Sequence, residues 1–125
     1  DNPRLTVRKW IGKNPTRLII NPKNRLDNKK HIFNKSIKTI NIQNINGGNL
    51  RKVISALIKK KIGSIIIEGG SFTINKFIDN NLWDEMRIFC SKTTFKGGVS
   101  APKFDNKTRN YKKILDDKLF ILYNE

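Results

Sequence analysis

The stretch Ser64-Ile65-Ile66-Ile67-Glu68-Gly69-Gly70-Ser71-Phe72-Thr73-Ile74-Asn75 decides how the chain is read. Ser64 to Ile67 is a short apolar run rich in β-branched residues, bounded by Gly63 and by a glycine pair. Such a run predicts a strand covered on both faces. Glu68 then falls at the strand's carboxyl end. Gly69 and Gly70 lack Cβ, so they can take positive φ and let another molecule's backbone or phosphate come close. Ser71 or Thr73 is placed to cap the helix that follows. The first amides of a helix have no internal partners, and its dipole is positive at that end. A phosphate suits such a corner. The segment therefore offers a carboxylate for a polar substrate beside an anion cradle. An ordinary tight strand-to-helix turn with a solvated Glu68 fits the same letters. The glycine pair is not G-x-G-x-x-G, and no Gly-Lys-Ser/Thr follows to make a P-loop.

Working outward, Gly47-Gly48 breaks the chain and Asn49 is a good N-cap. Leu50, Val53, Ile54, Leu57 and Ile58 follow at the spacing of an amphipathic helix, with Arg51, Lys52, Lys59 and Lys60 opposite. Gly63 is its expected stop. A second helix is predicted from about Phe72 to Asn80, with Ile74, Phe77 and Ile78 inward. Helix, strand, glycine turn, helix is an α/β order with a right-handed crossover. Further strands are predicted at Leu5-Thr6-Val7, Arg17–Ile20, His31–Phe33, Thr39–Ile42 and Met86–Cys90. Arg17–Ile20 ends at Asn21-Pro22, because Pro22 cannot donate to a ladder. Lys112–Tyr123 gives two short strands around Asp116-Asp117, acids of a hairpin turn rather than catalytic carboxylates. Leu82-Trp83-Asp84-Glu85 turns the chain, and Thr93–Pro102 is a loop that is either a connector or borders a ligand. Arg8, at the end of the first predicted strand, is either a fixed guanidinium for a phosphate or a surface arginine.

The 125 residues suit one domain. Lys and Arg total 26 against 10 acids, a net charge of +16, which suggests polyanionic partners. The lysines run from Lys9 to Lys118 with one tract at Lys59-Lys60-Lys61, and Asn and Ile are abundant too. That pattern reads as a drift in amino-acid usage more than as a nucleic-acid face, and no interleaved aromatics of the stacking kind accompany it. It favours a phosphorylated small ligand. No apolar run approaches the roughly 20 residues of a membrane span, and no secretory signal is present. Cys90 is the lone cysteine, which fits a reducing compartment and a cytoplasmic location, and it reads as a small buried hydrophobe. His31, the lone histidine, has no second ligand at metal-binding spacing, so it reads as structural or exposed, and no metal is expected.

Asp1-Asn2-Pro3-Arg4-Leu5-Thr6-Val7-Arg8 resembles the Asp-Asp/Asn-Pro-x-Leu-Thr-x-Arg motif of the reductase domain of the bifunctional riboflavin-biosynthesis deaminase–reductase family. Three further pieces are similar to that family in the same order. Arg17–Pro22 with Asn24-Arg25-Leu26 resembles its strand and following loop. Ile67-Glu68-Gly69-Gly70 resembles its Val-Glu-Gly-Gly turn. Leu82-Trp83-Asp84-Glu85 and Gly97-Gly98 resemble its Leu-x-Asp-Glu and late glycine loop. The resemblance implies a dihydrofolate-reductase-like, three-layer α/β/α fold with a mostly parallel twisted sheet. It implies NADPH-dependent reduction of 5-amino-6-(5-phosphoribosylamino)uracil: the ribose opens to an imine, hydride adds at the sugar's first carbon, and a ribityl chain results. By the same resemblance, Leu5, Arg8 and Glu68 fall on substrate positions, with Arg8 the partner of the phosphate. Gly70, Ser71, Phe72, Thr73, Ile74, Asn75 and Lys76 fall on the stretch that binds the NADPH phosphates. Asp1 and Pro22 fall on cofactor positions, and no catalytic residue is assigned.

The chain departs from the family pattern in three places. Nothing matches the family's first strand and helix with their Ser-Leu-Asp-Gly-type segment. The zinc deaminase signatures His-x-Glu and Cys-x-x-Cys are missing. Asn21 stands where many relatives carry Asp. A single reductase domain truncated on its N-terminal side is therefore expected, and its unpaired sheet edge favours pairing with a second chain, in a homodimer. Two other readings stand beside the enzyme: a basic nucleic-acid-binding module, and an inactive fragment of the reductase.

Overall fold

The computed structural model describes residues 2–21, 23–43, 49–102 and 110–124. The chain forms two compact units, Asp1–Gly63 and Ser64–Glu125. In the first, strands β1 (Arg17–Ile20) and β2 (Thr39–Ile42) pair in parallel, from Arg17 opposite Thr39 to Ile20 opposite Ile42. Both strands carry the β-branched residues that suit a pleated, half-buried surface. The ladder is extended at its two ends by Arg17 N donating to Lys38 O and Asn21 N donating to Ile42 O, each at 3.0 Å. The connection between the strands includes one 3-10 turn, His31–Phe33. This segment is not the strand its apolar letters predict, because Phe33 N and Asn34 N turn back onto the carbonyls of Lys30 and His31.

Helix α1 (Leu50–Lys59) follows, its first turn capped by the Asn49 side chain accepting from Lys52 N. Leu50, Val53 and Leu57 are buried at i, i+3 and i+7, as the periodicity predicts. Ile58 is 65% exposed, so the apolar stripe is one residue narrower than its letters suggest. Gly63 does not end α1. Lys61 takes the left-handed conformation (φ 58), with Ile62 N on Leu57 O and Lys61 N on Ile58 O, the two bonds of a Schellman motif.

In the second unit, helix α2 (Ser71–Asp79) buries Phe77. It ends in the same motif, with Asn81 left-handed (φ 53) and Leu82 N on Phe77 O. Strands β3 (Glu85–Cys90), β4 (Lys112–Ile114) and β5 (Asp117–Tyr123) form an antiparallel sheet in the order β3-β5-β4. The β4–β5 connection is the predicted hairpin, with Leu115 (φ 53) in the conformation such turns usually give to Gly or Asn. The Leu82–Glu85 turn is fastened to the end of β5: Asn124 N donates to Asp84 O, and its side-chain amide to Trp83 O.

The chain is thus mixed α/β with small sheets. Among the described residues the parallel sheet has two strands and the other sheet is antiparallel, so a mostly parallel sheet is not what these units contain. The largest departure lies in the stretch that decides the sequence reading. Ser64–Ile67 is no strand, and Ile66 is 89% exposed. A strand exists through its ladder, and no described residue forms one with this run. Leu5–Val7 is likewise no strand, because Leu5 sits at φ 48 and bends the chain there. Gly47-Gly48 lies outside the described residues.

A β-carbon in the left-handed region costs about 1 kcal/mol, which glycine avoids. Lys61→Gly is therefore expected to stabilise the chain by about 1 kcal/mol in urea unfolding; an unchanged midpoint would contradict the helix end described here.

Candidate functional site

Each unit carries one part of the expected site. In the first, the segment 2–8 is held at three points. The Asn2 side-chain oxygen accepts from His31 N at 2.9 Å, Arg4 O accepts from the Arg17 guanidinium at 3.4 Å, and Val7 N donates to the Asn14 side chain at 3.0 Å. Leu5, Thr6 and Val7 are half-buried, and Arg8 is exposed. The ion pairs among the described residues, Arg87 with Glu85 and Lys92 with Asp116, involve neither this segment nor Arg8. The Arg8 guanidinium can therefore meet an anion from solution. A bent and tethered loop, not a strand, presents it.

Arg17 is the residue that sequence reasoning passed over. It opens β1, yet its side chain is buried, with the residue 3% exposed. Its Nε donates to Thr39 Oγ1, one terminal nitrogen to the carbonyls of Arg4 and His31, and the other to those of Asn34 and Ile37. No hydrophobic pattern announces such a set, since four of the five acceptors are backbone oxygens. The available signal was an arginine at the first position of an otherwise apolar strand.

Asn21 is buried as well, and its side-chain oxygen accepts from Arg25 N at 3.0 Å. Its side chain closes the loop after β1 with that oxygen, which an aspartate also offers, and with its amide nitrogen 3.5 Å from the Asn24 side-chain oxygen, which an aspartate does not. The same loop is tied by Gln43 donating to the Asn24 side chain at 2.8 Å. Asp1 and Pro22, both expected at the cofactor, lie outside the described residues. His31 is exposed and serves through its backbone.

In the second unit, Glu68, Gly69 and Gly70 are exposed and lead into α2. Neither glycine has positive φ; among the described glycines only Gly98 does (φ 120). Gly70 is the N-cap at φ −57 and ψ 168, and neither Ser71 nor Thr73 caps the helix with its side chain. The two glycines have different reasons to lack a side chain. A Cβ on Gly69 would stand 3.0 Å from Thr73 Cβ, so a side chain there would have to push Thr73 aside by a few tenths of an ångström. A Cβ on Gly70 would meet nothing within 4 Å. The start of α2 is therefore open at Gly70, with backbone amides that no side chain satisfies, at the positive end of the helix dipole.

Along α2, Ser71, Thr73, Ile74 and Asn75 are half-buried, while Phe72 (76% exposed) and Lys76 face solvent. Lys76 Nζ lies 5.8 Å from the centre of the Phe72 ring, a cation–π pair one turn apart. The corner thus combines the uncapped first amides of Ser71 and Phe72 (those of Thr73 and Ile74 bond Gly70 O), a lysine, an aromatic ring and the Glu68 carboxylate just before them. A phosphate-bearing ligand with polar groups matches that chemistry.

The cleft on the antiparallel sheet holds none of these residues. It has a volume of about 410 Å³ and is lined by Cys90, Lys92, Tyr111, Lys113 and Lys118 with Asp116 and Asp117. Cys90 is half-buried at its edge rather than sealed in a core. The Gly97-Gly98 loop is exposed throughout. Among the described residues no three His, Cys, Asp or Glu come together.

A family model described as the RibD C-terminal domain matches residues 1–108. The match takes in segment 2–8, β1, β2, α1, the corner at residues 68–76, α2 and β3, and ends ahead of β4.

The Thr73 contact predicts opposite signs for two glycine substitutions. Gly69→Ala overpacks the start of α2 and is expected to cost about 1–2 kcal/mol. Gly12→Ala, with nothing within 4 Å of the new methyl, is expected to be neutral or stabilising by up to about 0.5 kcal/mol. Urea unfolding of the two variants decides it, and equal effects would contradict the distinction.

Proposed function

The chain belongs to the RibD C-terminal domain family, reductase-type domains of riboflavin biosynthesis, and from that membership we propose that it serves the NADPH-dependent reduction of 5-amino-6-(5-phosphoribosylamino)uracil to its ribitylamino product. The observation that carries the cofactor half is the open N-terminus of α2. Gly70 leaves room above amides that no side chain caps, and Lys76 lies one turn further on. In this reading the residues Gly70 to Lys76 hold the cofactor's phosphates through backbone amides and one cation. When bound, NADPH supplies the hydride.

The chain's own residues do the rest. Arg8 takes the sugar phosphate in a bidentate, charge-assisted grip. Leu5 gives the ligand an apolar wall from its half-buried bend. Glu68 accepts hydrogen bonds from substrate hydroxyl or ring N–H groups. Asp1 and Pro22 are kept as cofactor positions on the motif alone. The same reading takes the chain as a single reductase domain with the dihydrofolate-reductase-like three-layer build, working as a homodimer in the cytoplasm. The homodimer rests on one feature: Ser64–Ile67 has backbone without a ladder among the described residues. Unladdered backbone of this kind invites a strand from another chain.

NADPH titration followed by amide shifts is expected to move residues 69–75 first. Shifts confined to scattered exposed lysines such as Lys59–Lys61 would refute the proposal. A sharper test is Gly70→Asp. A carboxylate at the N-cap satisfies the open amides and is expected to stabilise the chain by about 0.5–1 kcal/mol. It also repels a phosphate, so NADPH affinity is expected to fall by at least about tenfold, or about 1.4 kcal/mol. Tighter folding with unaltered NADPH binding would place the cofactor elsewhere.

A further inference from the structure

We propose that Arg17 is the positioning residue of the substrate-binding segment: it never touches the ligand, but it fixes the bend from which Leu5 and Arg8 are presented. The inference rests on the reading that Leu5 and Arg8 meet the substrate. The grip itself is visible without that reading.

A buried cation is tolerated only when it is fully paired. Here the pairing is done without a carboxylate, by Thr39 Oγ1 and the carbonyls of Arg4, His31, Asn34 and Ile37. No buried side-chain polar atom among the described residues lacks a partner. Four of these acceptors belong to the 31–39 connection. The fifth, Arg4 O, lies in the segment 2–8 and belongs to the peptide unit that enters Leu5. Leu5 is the residue at φ 48, a conformation that a leucine holds only when its surroundings impose it. The bend is clamped on both sides, by Arg17 on Arg4 O and by Asn14 on Val7 N. Arg17 also holds His31 O, and the same residue's N–H holds the Asn2 side chain. One of the three tethers on segment 2–8 is therefore made by the guanidinium, and a second is made by His31, whose carbonyl the guanidinium also holds.

Only arginine can do this. Its planar fork presents five donors in fixed directions, whereas a lysine ammonium has three and no plane. Arg17→Lys keeps the charge and most of the burial but cannot satisfy five acceptors. The longest bond, 3.4 Å to Arg4 O, is the first to go.

The test uses the whole chain as wild type, Arg17→Lys and Arg8→Ala. The readouts are amide hydrogen exchange along the chain and binding of ribose 5-phosphate and of NADPH. In Arg17→Lys, exchange at Val7, whose N–H is bonded to Asn14, is expected to speed up about tenfold while β3 and β5 keep wild-type rates. Ribose 5-phosphate affinity is expected to fall about tenfold with NADPH affinity unchanged. Unchanged exchange at Val7, or an equal rise throughout the chain, overturns the inference. Binding of ribose 5-phosphate that Arg8→Ala does not weaken overturns the reading of the substrate site instead, and the exchange data still decide what Arg17 holds. Should Arg17→Lys not fold, the wild type supplies the decision: a scalar coupling across the hydrogen bond from the Arg17 guanidinium to the Arg4 carbonyl carbon is expected, and a freely rotating, rapidly exchanging guanidinium overturns the proposal.

Discussion

One buried guanidinium organises the first unit. Arg17 starts β1 and reaches the strand beside it, the 3-10 turn and the segment 2–8. Removing an ion of this kind from water costs several kcal/mol even after relaxation. Hydrogen bonds from a charged donor return about 1.5–3 kcal/mol each, so five of them are enough to offset the loss. The arrangement is all or nothing. An apolar residue of similar size would take a donor from every one of these oxygens, Arg4 O included, and a shorter cation would reach only some of them. The two-stranded ladder is too small to fix so long a connection by itself, and the arginine supplies the missing order.

The second unit works by an omission rather than a bond. Most helices of this length begin with a serine, threonine or aspartate that satisfies the first amides. Helix α2 begins with Gly70 and leaves them open, although α1 in the same chain has its asparagine cap. The contrast matters because both helices are short and neither gains much from propensity alone. In the function proposed above, the missing cap leaves room for a phosphate that would compete with it, the usual relation between a binding site and the stability of the element that carries it.

Where local chemistry and tertiary structure agree, the letters were legible. Strands β1 and β2, the Asn49 cap, the inward face of α1 and the β4–β5 hairpin all follow from periodicity and turn residues. Reading failed where the deciding partner is remote or is backbone. Ser64–Ile67 has the composition of a strand, but composition does not supply a ladder. Leu5–Val7 and His31–Phe33 are short, mainly apolar stretches whose backbone is turned by bonds to Asn14, Arg17 and their own preceding carbonyls. The end of α1 misled for another reason: Lys61 occupies a position that glycine would fill more comfortably, two residues ahead of Gly63, whereas α2 ends at Asp79, within a residue of the predicted Asn80. For the candidate site, motif order supplies the residues proposed for it. The different duties of Gly69 and Gly70, and the whole role of Arg17, needed coordinates.

The chemistry of the Arg17 cluster has a consequence for acid tolerance. Its acceptors are carbonyl and hydroxyl oxygens, and no carboxylate takes part. The ion pairs among the described residues, Arg87 with Glu85 and Lys92 with Asp116, sit on the surface of the second unit. Acid therefore takes no partner from the cluster, while the mutual repulsion of a chain with a net charge of +16 acts throughout and is screened by added salt.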